Sequence, residues 1–113
     1  MELIRGTTPT IIITVETEIN FDDISAVWIY ISQQNKVKVD KELSDVTFDK
    51  EKRTITVTLS QNDTLALKAD TEALFQIRLL MVNGTAFATR ASKVKVIEVY
   101  KNGVITEEEI SGE

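Results

Sequence analysis

A chain of 113 residues with 42% hydrophobic content is sized for one domain with its own core, and needs no metal or disulfide staple to fold. It has no cysteine and no histidine, which removes disulfides, thiol nucleophiles, Cys/His zinc sites and imidazole acid–base catalysis. A net charge of −5 argues against duplex nucleic acid as a partner, and no apolar run approaches the ~20 residues of a membrane span. Met1-Glu2-Leu3-Ile4-Arg5 lacks the basic and apolar regions of a signal peptide, so a cytoplasmic start is expected.

Met1 to Ile4 reads as a short edge strand. Arg5-Gly6-Thr7-Thr8-Pro9 interrupts it, because glycine relaxes φ and proline removes a ladder donor. Thr10 to Val15 resumes with Ile11, Ile13 and Val15 toward the core and Ile12 and Thr14 away from it. Glu16 to Asp23 is an acidic loop anchored by Phe21. Ser25 to Ser32 is the most apolar strand, with Val27, Ile29 and Ile31 on one face and Ala26, Trp28 and Tyr30 on the other. After the turn Gln33-Gln34-Asn35, Lys36 to Leu43 predicts an outer strand guarded by lysines, with Val37 and Val39 set together against Lys36, Lys38 and Asp40.

Val46-Thr47-Phe48 is a short strand, followed by the charged turn Asp49 to Arg53. The centre of the chain is Thr54 to Val99. There Ile55, Val57 and Leu59 alternate with threonines, and Phe75, Ile77, Leu79 and Met81 share a face opposite Gln76 and Arg78. Ser60 with Asp63 three residues on predicts a single capped helical turn between those strands. Asn83-Gly84 is a hairpin signal, and the arm returning as Thr85 to Val99 carries two apolar neighbours, Val96-Ile97, where a β-bulge is expected. A second Asn-Gly turn follows at Asn102-Gly103, then an acidic tail.

These elements predict an all-β, antiparallel immunoglobulin-like β-sandwich of about seven strands with one short helical turn, over residues 1–105, with 106–113 a flexible acidic tail. A small closed barrel is the alternative. The Cys–Trp–Cys signature of antibody domains is missing, so the expectation concerns architecture alone.

Carboxylates cluster at Asp22-Asp23, Asp40 with Glu42, Asp45 with Asp49 and Glu51, Asp70 with Glu72, and Glu107-Glu108-Glu109. None has the spacing of a calcium loop, and each falls in a turn or edge where solvated acids belong. The isolated glycines form no phosphate loop, and Ser92 and Lys93, adjacent on a strand, point to opposite faces. No catalytic, metal or cofactor residues are therefore assigned, and a non-enzymatic protein is expected. Trp28 and Tyr30 are the candidate protein-contact residues, since an aromatic pair on one strand face buries large area at small entropic cost. The plainer alternative is that they pack beneath a loop or against a neighbouring sheet. Arg78 and Arg90 are expected to form outward-facing ion pairs.

Three segments, Leu3-Ile4-Arg5-Gly6-Thr7-Thr8-Pro9-Thr10, Thr56-Val57-Thr58-Leu59-Ser60-Gln61-Asn62-Asp63-Thr64-Leu65 and Val99-Tyr100-Lys101-Asn102-Gly103-Val104-Ile105, occur in an order that resembles small phage and prophage proteins of Gram-positive bacteria, including the N-terminal module of baseplate proteins. The resemblance implies a virion or assembly component of tail, baseplate or neck, working through other phage proteins or self-association. It attaches no catalytic residues to this chain. A host-surface or carbohydrate-binding β-sandwich is the alternative function. Gly6 and Pro9 can equally serve as a strand break that lets the first strand switch between sheets.

Overall fold

Alternation at period two organises the chain into two sheets of opposite size. The structure, a computed structural model, describes residues 1–106; the expected acidic tail lies, from Glu107 on, outside them. The strands are β1 (Glu2–Ile4), β2 (Thr10–Thr14), β3 (Ile24–Gln33), β4 (Lys36–Glu42), β5 (Val46–Asp49), β6 (Thr54–Thr58), β7 (Ala73–Met81), β8 (Ala86–Ala88) and β9 (Ser92–Ile97). One helical turn, α1 (Gln61–Leu65), joins β6 to β7. The large sheet runs β1-β9-β7-β3-β4, with β8 also on β7, and the small sheet runs β2-β6-β5. All pairings are antiparallel except β1 with β9.

The inward residues of both sheets form one core, in which Ile29, Ile31 and Ile55 are wholly buried and Val27, Val57 and Leu59 nearly so. Taking β2 as strand B, the sheets correspond to B-E-D and C′-C-F-G of an immunoglobulin-like sandwich. The lone tryptophan departs from the antibody pattern. Ile29 fills the core position on the C-like strand, and Trp28 faces out.

Two local irregularities fall where the alternation alone does not place them. On β4, Val39 is paired with Ile31 but Val37 with Ser32, so Lys38 is the extra residue of a bulge. The phase flips there: Val39 is buried at 2% exposure and Val37 stands out at 56%, rather than sharing a face. The arm after Asn83-Gly84 also splits, into β8 and β9. Its register against β7 slips by one residue between Arg78↔Ala88 and Phe75↔Ser92, so the bulge lies around Thr89 to Ala91. The Thr89 hydroxyl takes the Ile77 N–H at 3.2 Å in place of a carbonyl, and the Gln76 amide donates to the Thr89 carbonyl at 2.7 Å. At Val96-Ile97, where the bulge was expected, β9 simply ends. This slip divides the returning arm in two, and the described residues hold nine strands, the expected short edge strand β1 among them.

One end of the sandwich is closed by Arg5. Gly6, at φ +78°, takes a left-handed conformation, and the chain leaves the large sheet at Ile4 and enters the small one at Thr10. The Arg5 backbone N–H continues the β1–β9 pairing by donating to the Ile97 carbonyl at 3.0 Å. Its guanidinium donates to the carbonyls of Leu67 (2.8 Å) and Leu65 (3.1 Å) and pairs with Glu98. Thr64, fully buried in α1, donates to the Thr7 carbonyl at 2.9 Å, and the Gln61 amide exchanges two bonds with the backbone of Ile105. The three segments singled out in the sequence thus meet at one place. At the opposite end Arg53 plays a matching part, donating to the carbonyls of Thr17 and Ile19 while lying over the Phe21 ring.

Gln33 is the core's one buried amide, and its group is fully used. It donates to the carbonyls of Lys68 and Thr71 and accepts from the Lys68 N–H, at 2.8–3.0 Å. Gln33→Leu strands those backbone groups and is expected to lower stability by about 2–3 kcal/mol. Urea unfolding checks this as a fall in midpoint with unchanged slope.

Ser60 and Asp63 cap α1 reciprocally, the Ser60 hydroxyl accepting the Asp63 N–H and the Asp63 carboxylate accepting the Ser60 N–H. Burial works against ionisation of Asp63, but the Lys41 ammonium at 2.7 Å and the Ser60 bonds outweigh it and hold the carboxyl below its ordinary 3.8. A carboxyl lowered in the native state stabilises it above the ordinary value and stops doing so as pH falls through the native one. Asp63→Asn should therefore cost stability at neutral pH, and the gap to wild type should close as the solution is taken below roughly pH 4. Thermal melts at a series of pH values check the direction.

Candidate functional site

The β3 alternation that sends Val27, Ile29 and Ile31 inward sends Trp28 and Tyr30 to the outer face of the large sheet. The small sheet packs on the opposite face of β3. Both rings are half-buried, and the sheet register names their flanking residues. Trp28 lies between Arg78 on β7 and Glu42 on β4; Tyr30 lies between Gln76 and Asp40. Each ring thus stands beside a carboxylate on one side and a hydrogen-bonding side chain on the other. The row continues with Ala26 and Ser32 on β3 and with half-buried Leu74 and Leu80 on β7.

β4 ends opposite Trp28, so β3 continues unpaired on that side toward Ile24. This leaves a shallow depression of about 390 Å³ bounded by Trp28, Ser25, Leu43 and Ser44. An aromatic ring at the rim of a notch, with charges of both signs beside it, suits contact with another surface rather than chemistry on a small molecule.

The other candidates disperse. Asp22 pairs with Lys50, Asp45 accepts the Glu42 N–H, and Asp49 accepts the Lys52 N–H, so these acids organise turns. Among the described residues no group of three carboxylates is placed to hold a metal ion. Glu107-Glu108-Glu109 lies outside the described residues. Ser92 and Lys93 do face opposite ways, opposite Phe75 and Leu74 respectively. Arg78 and Arg90 make no ion pair among the described residues, against expectation; Arg78 stands opposite Trp28 on β3 and Ala88 on β8, with no carboxylate directly across from it.

A second feature is absent from the sequence reading. Among the described residues β2 has no partner on its outer side, and between β2 and β8 the sandwich opens into an apolar groove of about 270 Å³, lined by Ile13, Val15, Ile19, Ile77, Leu79 and Phe87. Ile13, Val15, Ile77 and Leu79 are in phase with a core face, so alternation alone marks them as interior, while Phe87 stands opposite Leu79 and Ile19 lies in the loop between β2 and β3. Their shared opening depends on which strand is missing beside β2, a property of topology that no local pattern carries.

Among the described residues no helix is long and apolar enough to cross a membrane. No known protein family matches the chain, and no curated protein matches it in sequence.

Proposed function

We propose that this chain is a non-enzymatic structural or assembly module of a phage or prophage particle, acting in a tail, baseplate or neck through protein–protein contacts. The observation that carries the reading is the half-exposed Trp28/Tyr30 pair at the centre of an outward sheet face, flanked by Arg78, Glu42, Asp40 and Gln76. A large ring in a mixed polar surround is the composition of an interface hot spot. The resemblance of its three sequence segments to small phage proteins supports the setting. The partner is another structural protein of the same particle.

A carbohydrate-binding reading is favoured by one feature, the carboxylates directly across from both rings, because a stacked sugar uses an apolar ring with acceptors at its edge. The two readings separate in one experiment. Trp28 is the only tryptophan, so its fluorescence reports on this face alone. Proteins encoded beside this chain are purified and titrated singly against it, and cell-wall polysaccharide is titrated in parallel. The assembly reading expects a shifted, quencher-protected emission with one such protein, and a roughly thirty-fold weaker complex for Tyr30→Ala with the melting temperature unchanged. No complex with any of them, or one indifferent to Tyr30→Ala and Trp28→Ala, overturns it. A response to polysaccharide alone transfers the face to glycan binding.

A further inference from the structure

The edges of the two sheets are not treated alike. β4 carries Lys36, Lys38 and Lys41 and a bulge, β1 and β8 are three residues each, and β5 is four residues ending in Asp49. These are the devices by which sheet edges avoid pairing with other chains. β2 has none of them. It is Thr-Ile-Ile-Ile-Thr, uncharged and free of proline, with Ile12 exposed at 65%.

The hydrogen-bond phase of β2 shows which backbone groups this edge presents. The Leu59 N–H donates to the Pro9 carbonyl and the Val15 N–H to the Arg53 carbonyl, both 2.9 Å and both between directly opposed residues. In an antiparallel ladder such bonded pairs alternate with non-bonded ones. Pro9, Ile11, Ile13 and Val15 therefore spend their backbone groups on β6, and Thr10, Ile12 and Thr14 turn theirs to the open side. The close approach of the Thr10 and Thr58 hydroxyls, 3.0 Å, fits a non-bonded pair at that position.

The strand also reads the same in both directions about Ile12. We infer that β2 pairs antiparallel with β2 of a second copy of this chain, on a two-fold axis through Ile12. The register that follows sets Ile12 against Ile12 and Thr10 against Thr14 as bonded pairs, using the groups left open, while Ile11 of the second copy comes beside Ile13 at the mouth of the apolar groove. No charge is opposed to a like charge anywhere along the strand. The two small sheets become one continuous sheet, and the Trp28 face of each copy, on the other sheet, stays free for a different partner. The pairing extends the assembly reading, resting on it for its use in a particle but not for its geometry.

The test is sedimentation equilibrium of the full chain from roughly micromolar to millimolar concentration, beside two variants. Wild type should move from one chain mass to two. Ile12→Lys, at an exposed position on the outward face, places like charges together on the axis and should weaken the dimer by at least about ten-fold while melting as wild type does. Because the chain has no cysteine, Ile12→Cys under mild oxidation should give a disulfide-linked dimer, whereas Thr56→Cys, on the middle strand of the same sheet, should not. A wild type monomeric throughout, a dimer indifferent to Ile12→Lys, or equal cross-linking of the two cysteine variants overturns the pairing. None of those results bears on the Trp28 titration, so the edge and the aromatic face fail separately.

Discussion

The Arg5 guanidinium is the contact on which the rest of this sandwich depends. It joins four pieces that are distant in sequence: the end of β1, the carbonyls at the end of α1, Glu98 just past β9, and, through Asn102, the second Asn-Gly turn. A planar group with five donors is suited to that task, and a lysine is not. With Arg5 held there, and Gly6 in a left-handed conformation, the chain crosses from the large sheet to the small one within a few residues. β1 then lies parallel to β9, and β2 starts the small sheet as an edge. The uncharged border at β2 and the groove beside it are consequences of that crossing.

The same crossing sets the β2 edge and the Trp28 face on different sheets. The first strand covers β9 in the large sheet, and among the described residues no strand fills the flank between β2 and β8. The aromatic face is on the far side of the large sheet, set by the phase of β3. One surface offers backbone groups and a groove, the other offers rings and mixed charge.

Much of the fold was legible from local signals because period-two alternation and helix capping act within a few residues. Ile55, Val57 and Leu59, the Phe75 to Met81 face, the anchor Phe21 and the Ser60–Asp63 cap all stand where their spacing puts them. The break at Arg5 to Pro9 as a sheet switch was legible too, from a glycine and a proline. What alternation could not supply is anything set by a residue far away. The Lys38 bulge depends on which partner β4 meets, and the Thr89 slip depends on a hydroxyl standing in for a carbonyl across the ladder. Arg53 looked like one charge of a turn and is a tether for a loop more than thirty residues earlier. Trp28 and Tyr30 were readable as a face; that the face looks outward follows only from the placing of the second sheet.

The account's central claim is that Arg5 holds the first strand, α1 and the end of β9 together as one unit apart from the β3–β7 core. Amide hydrogen exchange on Arg5→Met, which keeps a long apolar stem and loses the donors, tests it most directly. The amides to follow are those of Lys95, bonded to the Met1 carbonyl, of Ala66, bonded to Asn62, and of Asp70, bonded to Val96. The account predicts that protection of these three falls together, by about ten-fold or more beyond any change at Ile29 and Ile77 in the core. Equal loss at all five, or protection at Lys95 and Ala66 that does not move, would contradict it.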